Sequence, residues 1–256
     1  MMQESLHFVY DGIRSSEMGV IQVSTDSGLF GEQFLANKRI NEEHIRGRER
    51  PYFFGVEREP LSFPLHMAFE DGFTEDDIRK VARWIDKDTY RPFHAENNPS
   101  RVFYAMSVDS SEHIHNGIQQ GYLTLNMRCN SPYTYSPIYI ESHEFEFNTS
   151  EGVDFTFSNM GDLNCRPHLT IRMLEEGDFS IVNYSDGGKE FKFEGLENGE
   201  IITIDNELED IQSSLDGVYR YDNFNNNYLS FPRGKNYLKI YGKCIITFKY
   251  IFKTIG

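Results

Sequence analysis

Two short stretches hold residue types whose spacing could support chemistry. In "EHIHNG", His113 and His115 are two positions apart, which puts both imidazoles on one side of an extended strand, the placement of a possible metal pair. No third His or Cys lies nearby in sequence, and a metal site needs more converging ligands than two. The pair therefore reads as solvent-facing, near a hairpin turn. In "HEFEFNT", Glu144 and Glu146 would share a strand face, and paired carboxylates are the machinery of glycosidases. Acids alternating with Phe145 and Phe147 are, however, the ordinary outer face of a half-buried strand. Cys129, Cys165 and Cys244 are odd in number and lack a CxxC spacing, so they read as reduced, buried thiols rather than as a disulfide framework or zinc site. No P-loop, GxSxG elbow or GxGxxG is present. No catalytic, cofactor-binding or metal-ligating residue is assigned, and the expectation is a protein that is not an enzyme.

The elements that would position these residues are mostly strands. Period-two alternation runs through "LHFVY" (6–10), "MGVIQV" (18–23), "LSFPLHMAF" (61–69), "RVFYAMSV" (101–108) and "GYLTLNMRC" (121–129). One segment differs. In "TEDDIRKVARWI", Ile78, Val81, Ala82 and Ile85 fall at helical spacing, Thr74 and Asp77 form a capping box, and Glu75, Asp76 and Asp77 favour the positive end of the helix dipole. This predicts a helix over about residues 75–86, with Trp84 packing between helix and sheet.

The two prolines and three tyrosines of "CNSPYTYSPIY" (129–139) end the first run of strands, dividing the chain into domains 1–138 and 139–256. Beyond it, "HEFEFNT", "VDFTFSN", "HLTIRML", "FSIVNY", "EFKFEGL", "EIITID" and the closing "NYLKIYGKCIITFKYIF" read as strands. In the last of these, Ile246, Phe248, Tyr250 and Phe252 share one face. Turns such as "SDGGK", "LENGE" and "PRGKN" connect them, giving a two-sheet antiparallel β-sandwich. "DNFNNNY" (222–228) reads as a surface loop. Such a sandwich could bind sugars by stacking on an aromatic residue, but the single Trp lies in the helix, so Tyr would have to substitute.

The net charge of −15 is spread over both halves. It argues against holding a polyanion, hence against specific nucleic-acid binding. The N-terminus lacks the pattern of an export signal, and no apolar run reaches the roughly 18 residues of a membrane span, so assembly in a cytoplasm without membrane insertion is expected.

The densest charge lies in "EEHIRGRERPYFFGVEREPLSF" (42–63), where Arg46, Arg48, Arg50 and Arg58 interleave with five glutamates beside Tyr52, Phe53 and Phe54. Alternating charge is ordinarily a solvated face, and single surface pairs contribute only about 0–1 kcal/mol. Beside so much aromatic surface, these residues can instead set register and partner choice at an oligomer interface, where Arg and aromatics are enriched.

In order along the chain, "FVYDGIRSSEMGV", "RGRERPYFFGVEREPLSFPLHMAF", the capped helix with "RWI", "RPFHAENNPSRVFYA" and "GYLTLNMRCNSPYTYSP" resemble the first domain of the distal tail proteins of long-tailed, non-contractile bacteriophages. "FSNMGDLNCRPHLTIRM", "FKFEGLENGEIITID" and the terminal "LSFPRGKNYLKIYGKCIITFKYIF" resemble the family's second domain. The resemblance implies a mainly β chain, with an N-terminal β-barrel-like domain bearing one α-helix and a galectin-like antiparallel β-sandwich. It further implies a hexameric ring, single or stacked in pairs, with a central DNA passage. The ring would sit at the distal end of the virion tail and join the tail tube and tape measure proteins to tail-tip, baseplate hub or receptor-binding proteins. No insertion the size of a further domain, about a hundred residues, interrupts the chain. Residues 46–63 are expected to form an extended hairpin or strand in the ring contact. The alternative is a carbohydrate-binding module contacting the host surface.

Overall fold

A computed structural model describes residues 5–24, 33, 35–116 and 120–256. The chain divides into two compact units, Met1–Ser136 with Ile255–Gly256, and Pro137–Thr254.

The first unit is built on a curled half-barrel sheet. Its strands are β1 (Phe8–Tyr10), β2 (Ile13–Arg14), β3 (Val20–Gln22), β6 (Ser62–Phe69), β7 (Arg91–Ala95), β8 (Phe103–His115) and β9 (Gly121–Cys129), in the order β2-β1-β7-β8-β9-β6-β3. Every pairing is antiparallel. The alternation read in β6 sends Phe63, Leu65, Met67 and Phe69 inward, each worth roughly 1.5–3 kcal/mol of transfer free energy. Both edges end in very short strands, which limits open-ended pairing. A brief β10 (Thr134–Tyr135) bridges back to Val102.

The helix α1 spans Glu75–Ile85, as its cap predicts. Thr74 Oγ1 accepts from the Asp77 amide at 3.3 Å, and the Thr74 amide donates to Asp77 Oδ2 at 2.9 Å, so two amides left orphaned at the helix start are satisfied reciprocally. Its buried face carries Val81, Trp84 and Ile85. Trp84 stacks on Phe8 at 5.5 Å, and its indole N–H donates to the Tyr10 carbonyl at 2.9 Å. It is a packing residue, because both its apolar ring and its single donor are satisfied inside the core.

The second unit is a two-sheet sandwich. One sheet contains β11 (Tyr139–Glu144), β13 (His168–Met173), β16 (Ile201–Asp205), β17 (Asp210–Ser213) and β19 (Cys244–Tyr250) in the order β11-β19-β13-β16-β17. The other contains β12 (Val153–Asn159), β14 (Gly177–Asn183), β15 (Lys189–Leu196) and β18 (Gly234–Tyr241) in the order β12-β18-β14-β15. The registers align apolar rows across each sheet. Ile204, Leu169 and Phe248 form one row and Ile202, Ile171 and Ile246 the next, facing Phe191, Ile181 and Ile240 from the other sheet. Phe248, Tyr250 and Phe252 are all buried, as the alternation at the C-terminus requires.

The strand expected over "HEFEFNT" ends at Glu144. The Phe145 amide still reaches the Cys244 carbonyl at 2.8 Å, but the chain then turns, and Asn148 donates its side-chain amide to the Ile240 and Gly242 carbonyls at 2.8 and 3.0 Å. Phe145 is therefore buried while Phe147 is 88% exposed. Glu144 and Glu146 do not share a strand face, which removes the geometric basis for a carboxylate pair there.

Candidate interaction surface

Between β3 and β6 the chain forms a hairpin separate from the seven-stranded sheet of the first unit. Strand β4 (Lys38–Glu43) pairs with β5 (Tyr52–Arg58) in antiparallel register, and no residue of either strand is buried. The expectation of an extended element over 46–63 is thus corrected in its bounds. Arg46, Arg48 and Arg50 lie in the connecting loop, Tyr52, Phe53, Phe54 and Arg58 lie on β5, and β6 belongs to the main sheet. The partner strand β4, "KRINEE", shows no alternation because neither of its faces is buried, so nothing in the sequence marked it.

The register gives the hairpin two unlike faces, since directly opposed residues point the same way. Ile40 and Val56 oppose each other, and Phe53 opposes Glu42 on the same side. Between Asn41 and Glu42 the register shifts, leaving Phe54 as the extra residue of a β-bulge. Gly55 follows at φ 153°, a backbone conformation that L side chains rarely adopt. Phe53 and Phe54 are 64% and 70% exposed, and Ile40 and Val56 also face solvent. The other face is polar: Asn41 donates to Glu57 Oε1 at 2.9 Å, and the Arg48 guanidinium lies 4.3 Å over the Tyr52 ring. That cation–π contact contributes about 0.5–1 kcal/mol at an exposed site.

Arg46, Arg50 and Arg58 form no ion pair among the described residues. The loop from His44 to Pro51 sets three arginines against Glu49 alone, a local cation excess in a chain of net charge −15. An isolated two-stranded hairpin is marginal in water, and this one exposes Ile40, Val56 and Phe53 on a face that also carries Lys38, Glu42 and Arg58.

The other candidate residues do not converge. His113 and His115 sit on β8 with ring centroids 5.0 Å apart. His113 is half-buried against Phe73 at 4.8 Å rather than solvent-facing, and burial together with the neighbouring His115 lowers its pKa. Among the described residues no group of three or more His, Cys, Asp or Glu is arranged to hold a metal. The three cysteines are free and buried, and burial pushes each thiol up to about 12, far from a reactive thiolate. Among the described residues one ion pair is buried. Glu200 is held by Arg220 through Nε at 2.8 Å and Nη2 at 2.7 Å, by Ser213 Oγ at 2.7 Å and by the Glu197 amide at 2.9 Å. All its contacts are internal, so it fixes loops rather than serving a ligand.

A half-barrel sheet with one helix followed by a two-sheet sandwich is a fold shared with solved phage tail proteins. The Dit protein of phage SPP1, described as a paradigm of the hub adsorption apparatus of phages infecting Gram-positive bacteria, superposes with a TM-score of 0.70 at 16% identity, over 96% of this chain and 98% of that one. A chain of the phage P2 baseplate in its activated conformation with calcium gives a TM-score of 0.51 at 8% identity over 96% and 97%. The two units match, in order, the phage tail protein N-terminal domain over residues 3–131 and the phage tail C-terminal domain over residues 138–250. The chain belongs to this family of phage tail proteins. It is 33% identical, over 99% of both chains, to YomH of Bacillus subtilis (strain 168), an SPbeta prophage-derived uncharacterized protein.

Proposed function

We propose that the chain is a non-catalytic structural hub of a tail tip or baseplate. Six copies close a ring through the first unit, join the tail tube to the distal adsorption apparatus and leave a passage for DNA. The ring's neighbours are the tail tube, tape measure and tail-tip or receptor-binding proteins, and assembly takes place in the host cytoplasm. The observation that carries this reading is the β4–β5 hairpin, whose exposed aromatic and aliphatic side chains and unpaired arginines are the composition of an interface. The net charge of −15 is compatible with a wall that lets phosphates pass without retaining them.

Light scattering after size-exclusion chromatography, at several concentrations and at low and high salt, tests the reading. Six chains of 29.9 kDa predict about 180 kDa, and a monomer under every condition overturns self-assembly into a ring. A glycan-binding role has one observation in its favour. An open cleft of about 700 Å³ beside Tyr241 is lined by Glu146, Glu175, Glu176 and Asp178, which supplies a ring face and hydroxyl acceptors. Retention of the full chain on purified host cell walls, lost on Tyr241→Ala, would support that role.

A further inference from the structure

If the hairpin is one half of a ring contact, the complementary half must lie elsewhere on the same chain, because a ring closes through two different surfaces of each copy. A cavity in the first unit has the required chemistry. It measures about 490 Å³ and lies between α1 and strands β6, β8 and β9. Its floor is apolar, with Val81 and Ile85 from the helix and Leu123 from β9, and its rim carries Asp86, Asp109 and Glu112. All three rim acids are exposed, and none enters an ion pair among the described residues. The hairpin inverts this pattern, with an aromatic bulge flanked by unpaired arginines. The chain does not fill the cavity with its own hairpin, since Phe53 and Phe54 stand in solvent.

We propose that the bulge at Phe53–Phe54 of one copy seats in the α1–β8–β9 cavity of a second copy, with Arg46 and Arg50 meeting Asp86, Asp109 and Glu112. Two aromatic side chains bury roughly 150–250 Å² each, and the cavity has the size of a pocket that takes such groups. Opposite unpaired charges at the two rims set the orientation and penalise a hairpin-to-hairpin contact, which would bring arginine loops together. This rests on the ring reading above and adds to it the acceptor surface.

The test uses two single variants of the full chain, Phe54→Cys and Ala82→Cys. Phe54 is exposed, and Ala82 lines the cavity from the outer part of α1, so neither change disturbs the core. The native thiols are buried and protonated, leaving the new sulfurs as the reactive ones. Under mild oxidation by copper phenanthroline, the mixture of the two variants should yield disulfide-linked dimers at least about tenfold above either variant alone, as a heterologous contact requires. Dimers from Phe54→Cys alone would mean a symmetric contact and overturn the proposal. Assembly of about 180 kDa without mixture-specific dimers would overturn the contact while leaving the ring. Monomers that never cross-link would overturn both.

Discussion

Removing the guanidinium of Arg220 tests how the second unit is held together. The Glu200 side chain is fully buried and Arg220 nearly so, at 0% and 9% exposure. In Arg220→Ala the carboxylate keeps only Ser213 Oγ and the Glu197 amide. Breaking a buried pair from one side costs about 3–5 kcal/mol, because the remaining charge is stranded in a low-dielectric site. For a unit of this size that is a fall of roughly 10–20 °C in Tm. Glu200→Gln with Arg220→Met removes both charges together and should recover more than about half of the loss. The molecule carries its own control. Its one tryptophan, Trp84, lies in the first unit's core, so fluorescence follows that unit while far-ultraviolet circular dichroism follows both. A lowered dichroism transition with an unchanged Trp84 transition is expected. A shift in dichroism below about 3 °C would show that the pair contributes little and that the burial argument fails. The pH dependence has a defined sign. Burial alone would raise the Glu200 pKa, but the hydrogen bonds from Arg220, the Glu197 amide and Ser213 outweigh it and leave it lowered. The stabilisation is therefore complete above the unfolded carboxylate value of about 4.3 and is lost as pH falls through the lower folded value.

Four further outcomes are expected. Arg48→Glu with Arg50→Glu should convert the assembly to monomers in light scattering while changing the folding stability of the single chain by no more than about 0.5 kcal/mol, since both residues are exposed; an unchanged oligomer excludes them from the contact. Thr74→Ala removes the α1 cap and should cost about 1 kcal/mol, read as an earlier Trp84 fluorescence transition in urea. Gly121→Ala would place a Cβ 2.7 Å from His113 Nε2 and 2.8 Å from Phe73 Cε1, so the first unit should lose about 1–3 kcal/mol. The lowered pKa of His113 means that its contribution is whole above about pH 6.5 and lost as pH falls below it; a Trp84 transition in His113→Asn that keeps the full wild-type pH slope from 7 to 5 would refute that origin.

What the sequence discloses and what it hides follow from one physical distinction. Alternation is written only where one face of a strand is buried, so β6, β9, β13, β16 and β19 were legible, and the capping box made α1 legible to within a residue of its end. The same rule misled at "HEFEFNT", where the apparent alternation outruns the strand because Asn148 turns the chain by bonding two carbonyls of the β18 segment and the turn after it. It was silent at β4, whose residues meet no core. The Glu200–Arg220 pair was equally hidden, because its partners are twenty positions apart and meet only when the loops close. The hairpin is the informative exception. Its aromatics and arginines were conspicuous because they are not absorbed by the fold of a single chain. The partner strand that pairs with them, the bulge that turns two phenylalanines outward and the acid-rimmed cavity of matching chemistry are products of tertiary structure. A surface left exposed by the single chain thus leaves its composition in the sequence, while the cavity assembled from α1, β8 and β9 leaves only residues that look like an ordinary core edge.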